Sequence, residues 1–515
     1  AAFLATGVAY AAETWPKVQA ALDAHASAWA ARREDACAAT HVRGEASPEL
    51  LDLRNECLDG RLRELEALVG AFVTADAATV ERALQATSGL ASLAVCDDAR
   101  YLRARVKPPA DPALAERVAR ARGLLARAAA RRDAGRPREA REIATAVRRA
   151  SKDLDYPPLH AEALLELGRG EEATADYVLA QEHLREAYHL ALGIAADPVA
   201  TDAAIALSLV YYRQAEFADS FAWSEHARSL LRRTDDPPEQ AVLYLLYRSY
   251  SQSRLGLHVD AIDSAERALT LAEAEFSPLD PRRGRMLAGL AHARWAAGDD
   301  ARALDLFKRS QLSWSDGLGA DHPFVASSAI NISTIYIHRR AFEDAAAVLR
   351  PALGIMERAF GPDHPNVADT LVNLASLATI QGRLREAAEA ADRALRIYLR
   401  VDPERQEILG LLADLGGLKH LLGHHDEGLA SLRHALALRQ RLPEPDLALQ
   451  AQLHVTIGDV LADMRRPQAA DDEYRVALDL LERRPDPLTR QGALAGLARL
   501  ARERGAAAEA EALAR

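Results

Sequence analysis

The apolar positions of this chain recur at helical spacing over almost its whole length, and the clearest stretch is 321–400. Two blocks there read DHPFVASSAINISTIYIHRRAFEDAAAVLRPALGI and DHPNVADTLVNLASLATIQGRLREAAEAADRALRI, and Asp321/Asp363, Pro323/Pro365, Asn331/Asn373, Ala345/Ala387 and Leu353/Leu395 all stand 42 residues apart. In the second block Val367, Leu371, Leu374, Ala375 and Ala378 follow steps of three and four, which is one face of a helix. Gln381-Gly382-Arg383 interrupts it, with Gly382 free to take positive φ. Leu384, Ala387, Ala391, Ala394 and Leu395 then mark the face of a second helix. Asp321 and Asp363 are expected to cap the first helix of each block, with the proline two residues on tolerated in the first turn. His322 and His364 of these DHP motifs are read as structural. A hairpin of this kind cannot bury its apolar face alone and must stack on a copy of itself.

The unit extends in both directions. One small residue of the second helix can be followed as Ala140, Ala180, Ser220, Ala261, Ala303, Ala345, Ala387, Gly428, Ala470 and Ala510, at spacings of 40 to 42 residues. A second small residue follows two turns later, at Ala187, Ala227, Ala268, Ser310, Ala352, Ala394, Ala435 and Ala477. Five residues before the tracked position the pattern asks for a turn glycine. Gly135, Gly256, Gly298, Gly382, Gly423 and Gly505 supply it, whereas Ala175, Ala215, Arg340 and Arg465 depart. The pattern predicts an all-α solenoid of about ten helix-turn-helix units.

Residues 1–105 lie outside this repeat. Thr14-Trp15-Pro16 is expected to open a helix with Val18, Ala21, Leu22, Ala26 and Trp29 on one face and His25 beside it. Gly44–Ser47 is a break, Ser47-Pro48-Glu49 starts a second helix, and a third is expected over Asp76–Ser88. The proline-rich stretch 106–112 is a stiff linker. The expected division is a helical cysteine-bearing domain at 1–105, the linker, and an array at 113–515. All three cysteines, Cys37, Cys57 and Cys96, lie in the first segment, without the C-x-x-C spacing of zinc or redox sites. Two readings stand side by side: buried small hydrophobes, or one disulfide in an oxidising compartment with one cysteine left over.

The repeat residues Leu371, Leu374-Ala375, Gly382, Ala387 and Ala394-Leu395, with their counterparts, resemble the tetratricopeptide repeat family in its 42-residue, kinesin-light-chain-like form, over 111–515. The resemblance implies a right-handed superhelix whose first helices line a concave groove. Stepping off the core positions Ile332 and Leu374, the groove residues become Tyr212, Arg213, Tyr247, Tyr250, Arg254, His292, Trp295, Asn331, Thr334, His338, Asn373 and Ser376. Tyrosine and tryptophan offer rigid area with a polar tip, and Asn pairs with an extended backbone whatever its sequence. The expected partner is therefore a protein or peptide segment.

A second resemblance concerns Ala36-Cys37-Ala38-Ala39-Thr40, Gly44-Glu45-Ala46-Ser47 and Leu50 through Leu58. These look like the segment that follows the membrane helix in bacterial receptor-type serine/threonine protein kinases, where a cytoplasmic kinase, a membrane helix, this segment and a tetratricopeptide array come in that order. The resemblance implies the sensor half of such a receptor, on the extracytoplasmic side, with an upstream cysteine available to the odd thiol. An intracellular peptide-sensing regulator with a similar array is the alternative. The chain begins at Ala1 rather than Met, which reads as a fragment or processed product, and Ala1–Ala12 is too short and polar for an intact signal peptide.

Charge and chemistry narrow the function further. The net charge of −11 argues against nucleic acid as a general partner. Residues 111–155 carry 12 Lys/Arg against 7 Asp/Glu, a local +5 that leaves −16 for the rest, and read as a solvated helix face. There is no run of 18 apolar residues. Glycine-rich phosphate loops, H-R-D, D-F-G, H-E-x-x-H and G-x-S-x-G are all missing from the sequence, and Gly168-Arg169-Gly170 has no strand before it. His420, His424, His425, Asp426 and Glu427 form the one dense metal-capable cluster, but they straddle a turn, so no metal and no cofactor is expected. The sequence reads as a non-catalytic binding scaffold.

Overall fold

The computed structural model describes residues 2–8, 10–104, 109–234, 237–401, 407–441 and 446–514. Those residues are all-α, with no strand among them. Five helices precede the repeats: α1 (Ala2–Ala5), α2 (Ala11–His41), α3 (Pro48–Val73), α4 (Ala77–Ser88) and α5 (Ala99–Ala104). Paired helices follow: α6 (Pro112–Asp133) with α7 (Pro137–Lys152), α8 (Pro157–Ala173) with α9 (Tyr177–Gly193), α10 (Asp197–Arg213) with α11 (Phe217–Leu231), and α12 (Pro238–Arg254) with α13 (His258–Glu275). The series continues with α14 (Pro281–Ala296) and α15 (Asp300–Leu318), α16 (Pro323–His338) and α17 (Phe342–Phe360), and α18 (Pro365–Ile380) and α19 (Leu384–Val401). It ends with α20 (Glu407–Leu421) and α21 (His425–Arg441), α22 (Leu447–Asp463) and α23 (Pro467–Arg483), and α24 (Pro487–Glu503) and α25 (Ala507–Ala514). The chain forms two compact units, Ala1–Ile335 and Tyr336–Arg515.

The period is enforced at two places in each hairpin. Every tracked small residue is buried, from Ala140 at 2% exposure through Ser220 and Ala387 at 0% to Ala510 at 4%. Where glycine replaces alanine the helices are closer still: a Cβ on Gly428 would stand 2.8 Å from the Gly416 carbonyl oxygen. The second place is the turn. All ten turn positions have positive φ, including the four that lack glycine: Ala175 (61°), Ala215 (62°), Arg340 (58°) and Arg465 (57°). Each closes the same pair of main-chain bonds. At one, Gly382 N–H reaches Thr379 O at 3.0 Å and Arg383 N–H reaches Ala378 O at 2.8 Å. At another, Ala215 N–H reaches Tyr212 O at 3.1 Å and Glu216 N–H reaches Tyr211 O at 3.0 Å. This double bond satisfies the last carbonyls of the first helix and sets the entry of the second.

Several local expectations change. His364, not Asp363, caps α18: its Nδ1 accepts from Asn366 N–H at 3.2 Å. His322 Nδ1 does the same for Phe324 N–H at 3.2 Å. The aspartates stand one residue too early for the bond; Asp363 instead pairs with Arg400 at 2.6 Å. Helix α2 begins at Ala11 and carries Pro16 inside it. Its covered side runs through Thr14, Val18, His25 and Trp29, leaving Ala21 and Ala26 exposed. Helices α3 and α4 start where the sequence suggested, and Ser47 and Asp76 cap them. Leu374 is only half-buried, unlike its counterpart Ile332.

Cys57 and Cys96 form a disulfide with Cα atoms 5.6 Å apart, and Cys37 is free and exposed. The bridge sits among Leu58, Leu93 and Leu102, with Trp29 packed against them. Val106, Lys107 and Pro108 of the expected linker lie outside the described residues. The segment before it packs on the first repeats. Arg136, just past the first turn, bonds the Thr74 carbonyl and reaches Asp76 at 3.3 Å. Ser92 N–H donates to Glu239 of α12 at 3.1 Å, and Lys17 Nζ caps the Asp316 and Gly317 carbonyls at 3.1 Å each. His322 meets the Glu81 carbonyl at 2.9 Å. The N-terminal helices thus touch the first repeat at one end and the α15–α16 turn at the other.

Candidate functional site

Within the first unit, the first helices of successive pairs present a polar face to their neighbours. Along α6, α8 and α10 that face pairs with itself. Arg122 meets Glu162 at 2.8 Å and also Glu56 of α3 at 3.4 Å. Arg132 bonds Glu166, Arg169 meets Asp202 at 3.1 Å, and Arg213 approaches Glu172 at 3.8 Å. Gln240 at the start of α12 donates to Asp202 at 2.7 Å. Such pairs span adjacent repeats and fix their register more than they stabilise them.

Arg282 of α14 approaches Glu239 of α12 at 3.6 Å, and further along these two helices the pattern changes. Tyr212, Tyr247 and Tyr250 gather there, with ring centroids 5.6 Å apart for Tyr212–Tyr250 and 6.4 Å for Tyr247–Tyr250. Arg285 donates through Nη2 to the Tyr247 hydroxyl at 3.0 Å, and its guanidinium carbon lies 5.6 Å from that ring's centroid. Among the described residues Arg285 has no carboxylate in ion-pair contact, and the Tyr250 hydroxyl has no hydrogen-bond partner. Burial pushes the Tyr250 hydroxyl above its ordinary value and keeps it protonated. Gly289, one turn after Arg285, makes the room: a Cβ there would lie 2.5 Å from Leu246 Cδ1 and 3.8 Å from the Tyr250 oxygen. Glu172 is held above the usual carboxylate range by burial, against the pull of Arg213, Arg132, Arg285 and Arg82.

The remaining expected groove residues behave differently. Arg254 lies over the Phe217 ring at 4.8 Å, and that ring meets Tyr212 with centroids 5.6 Å apart. His292 packs edge-on against Phe307 at 4.9 Å, and burial holds it below the usual histidine value, so it is neutral. Trp295 remains 39% exposed. Asn331 is half-buried, and Thr334 turns its hydroxyl to the Ile330 carbonyl at 3.1 Å. In the second unit His338 and Ser376 are exposed; Ser376 bonds the Val372 carbonyl at 3.0 Å. Asn373 donates to its own helix, at the Asp369 carbonyl 2.9 Å away, so only its oxygen is left for a partner.

Arg285, Glu172 and Gly289 were not in the sequence-derived set. A signal existed: Gly289 stands 42 residues before Asn331 and 42 after Tyr247, and Arg285 is one helical turn earlier on the same face. The same offset places exposed Asp414 41 residues after Asn373.

The histidine cluster at the α20–α21 turn forms protein contacts. His420 and His425 face each other at 3.0 Å, His420 reaches Asp463 at 3.3 Å, and Lys419 pairs with Glu427 at 3.0 Å. Among the described residues no group of three His, Cys, Asp or Glu is placed to hold a metal ion. No described helix is long and apolar enough to cross a membrane.

The fold is an α-solenoid of helical hairpins. Residues 324–400 and 407–483 match the tetratricopeptide repeat family model, and these stretches are tetratricopeptide repeats. No curated protein matches the sequence. Among solved structures the chain is similar to the apo form of RapI, with 17% identity, 70% of this chain and 97% of that one covered, and a TM-score of 0.48. The apo form of the quorum sensor NprR from B. thuringiensis gives 16% identity, 70% and 98% coverage, and a TM-score of 0.48. BtubC from P. vanneervenii gives 21% identity, 45% and 94% coverage, and a TM-score of 0.39.

Proposed function

We propose that this chain binds an extended segment of a peptide or protein on the inner face of α10, α12 and α14, without catalysis, as the ligand-sensing portion of a bacterial serine/threonine protein kinase. One observation carries the binding reading. Charged pairs join the first helices from α6 to α10 and again where Arg282 meets Glu239 at 3.6 Å, whereas further along α12 and α14 the face carries Tyr247, Tyr250 and Arg285 beside Tyr212, with Trp295 39% exposed. Rigid rings with polar tips and a planar guanidinium gathered on one face offer the kind of surface that a bound segment covers with gain. Selection from a library of displayed 12-residue peptides against the full chain tests this. Tyr250→Ala and Trp295→Ala should each weaken the selected peptides by about tenfold or more. Equal binding to both variants, with unchanged helicity and melting, would overturn it.

The sensory part of the proposal rests on the kinase-like segment around Cys57 and on the disulfide it forms with Cys96. A bridge of this kind persists in oxidising compartments. A thiol count on denatured, unreduced protein from its native host decides the matter. Blocked Cys57 and Cys96 support an extracytoplasmic sensor. Free thiols at both positions would replace it with an intracellular peptide-sensing regulator.

A further inference from the structure

Helix α4 packs against both α6 and α14, the first helices of the first and fifth pairs. Packed helix axes stand about 8–10 Å apart, so the four steps from α6 to α14 run roughly 30–40 Å along the array. Helix α4 has 12 residues, which makes it about 18 Å long and 10–12 Å across. It reaches both ends only because the first helices curve round it, so it lies inside that curve. Side-chain contacts trace the same path. A Cβ on Gly135, at the turn after α6, would stand 3.3 Å from Ala78 Cβ. The charge of Arg82 acts on Glu172 at the end of α8, the carboxylate on which Arg213 and Arg285 also act. Ser92 N–H reaches Glu239 of α12, and the Glu81 carbonyl accepts from His322 at the start of α16.

The N-terminal helices are also a body of their own. The Cys57–Cys96 bridge, the Trp29 indole N–H on the Leu58 carbonyl at 2.8 Å, and Arg54 between Asp35 and Asp97 tie α2, α3 and the segment after α4 together. The hydrogen bonds that fasten α4 and its flanks to the array include main-chain groups at three points: Arg136 takes the Thr74 carbonyl, His322 that of Glu81, and Glu239 the Ser92 N–H. Glu81 and Glu239, from the two sides of this seam, are held above the usual carboxylate range by burial, so their charges favour parting it. A helix as short as α4 is marginal by itself and depends on these contacts.

We propose that α4 is the resident occupant of the hollow inside the first unit: it holds the unit closed, and a peptide takes the inner face of α10, α12 and α14 only as α4 withdraws. This rests on the peptide-binding reading and adds its regulation. The measured affinity is then the intrinsic affinity reduced by the fraction of molecules that stand open. By linkage the bound peptide favours withdrawal of α4 as strongly as withdrawal favours the peptide, so release of α4 is the signal that binding sends to the N-terminal body.

The test is hydrogen exchange of the full chain with and without a peptide selected from a displayed 12-residue library. Bound peptide should slow exchange over 242–254 and 284–295 and, in the opposite sense, speed it over 77–88 by about tenfold or more. Arg136→Gln and His322→Asn loosen α4 at its two ends and lie outside the proposed binding residues. Each should bind the same peptide about 2- to 10-fold more tightly, the range for one lost hydrogen bond. Two variants at separate places guard against a loss of fold in either, which helicity and melting would reveal. Peptides captured by the variants and not by the wild type would support a wild type that is almost wholly closed. Exchange over 77–88 that is unchanged or slowed on binding, or an affinity unchanged in both variants, would overturn the displacement and leave the binding face standing. No peptide captured by the wild type or by either variant would remove both readings.

Discussion

His322 Nε2 donates to the main-chain carbonyl of Glu81 at 2.9 Å, joining the start of α16 to α4 across 241 residues. The ring's other nitrogen accepts from Phe324 N–H, so the neutral tautomer with hydrogen on Nε2 satisfies both bonds. Tyr10 packs against it with centroids 5.5 Å apart, and the side chain is 1% exposed.

That geometry predicts a pH response. Burial lowers the His322 pKa from 6.5 to about 4, with the charge of Lys17 acting in the same direction and the Glu81 bond against it. The folded state therefore binds this proton less readily than the unfolded one. Its contribution is fully present above pH 6.5 and declines as pH falls toward 4, by about 3 kcal/mol in all. Hydrogen exchange over 77–88, corrected for intrinsic rates, should show protection falling across that window. His322→Asn keeps a cap for α16 but loses the bond to Glu81, so its protection at 77–88 should be lower at pH 7.5 and nearly flat with pH. The same pH profile in both proteins would sink the assignment.

The turns give a second expectation. Ala175 and Ala215 hold φ near 60° with a Cβ in place. The left-handed conformation costs about 1–2 kcal/mol for such a residue, and glycine gives back roughly 0.5–1 kcal/mol of that as chain entropy. Ala175→Gly and Ala215→Gly should each stabilise the first unit by about 0.5–1 kcal/mol in urea titrations. Gly382→Ala should destabilise the second unit by a similar amount. Destabilisation by both glycine variants would show that the turn is set by something other than this conformation.

These turns also mark how far the sequence reaches. The period was readable because helical hairpins stack only with small residues at fixed places, and Ala140 through Ala510 occupy those places. Four non-glycine turns looked like departures because tertiary stacking overrides a local preference of about 1 kcal/mol. The caps were misread by one residue because Asp and His are adjacent in the DHP motif and either has an acceptor; only the backbone decides between Asp363 and His364. Tyr212, Tyr247 and Tyr250 could be found by offset. Arg285 could not be ranked, because its contact with Tyr247, like ion pairs such as Arg169–Asp202, appears only once helices are placed side by side.

The disulfide between Cys57 and Cys96 ties residues 39 apart in sequence. A loop of that length removes roughly 3–4 kcal/mol of denatured-state entropy. The bridge holds the segment that follows α4, including Ser92, whose N–H reaches Glu239. The Cys57→Ser/Cys96→Ser variant should lose about 2–4 kcal/mol from the first unit in urea titrations and show faster exchange over 89–102. Cys37→Ser alone, at an exposed thiol, should change neither. Unchanged exchange over 89–102 in the double variant would show that the segment is held by packing alone.

Tyr474 offers a sharper test of close packing in the second unit. Its ring is fully buried between Gly458 and Gly496, and its hydroxyl donates to Asp459 at 2.7 Å. A Cβ on Gly496 would lie 2.3 Å from the ring carbon that carries the hydroxyl, and one on Gly458 would lie 2.6 Å from a neighbouring ring carbon. A flat ring held from both sides cannot move aside, so Gly496→Ala should destabilise the unit by about 2–3 kcal/mol. Tyr474→Phe keeps the ring and removes the donor. Burial already holds the Asp459 carboxyl above the usual range, against the Tyr474 bond, and losing that bond should raise it further. The variant should lose about 1–2 kcal/mol near neutral pH. The loss should shrink on acidification, because a carboxyl with a raised folded-state value favours folding once it is protonated. Tyr474→Leu empties the space, and Gly496→Ala added to it should cost less than about 1 kcal/mol, a strong departure from additivity. Additive effects in that cycle, measured by urea titration, would mean that the ring is not what excludes a side chain at position 496.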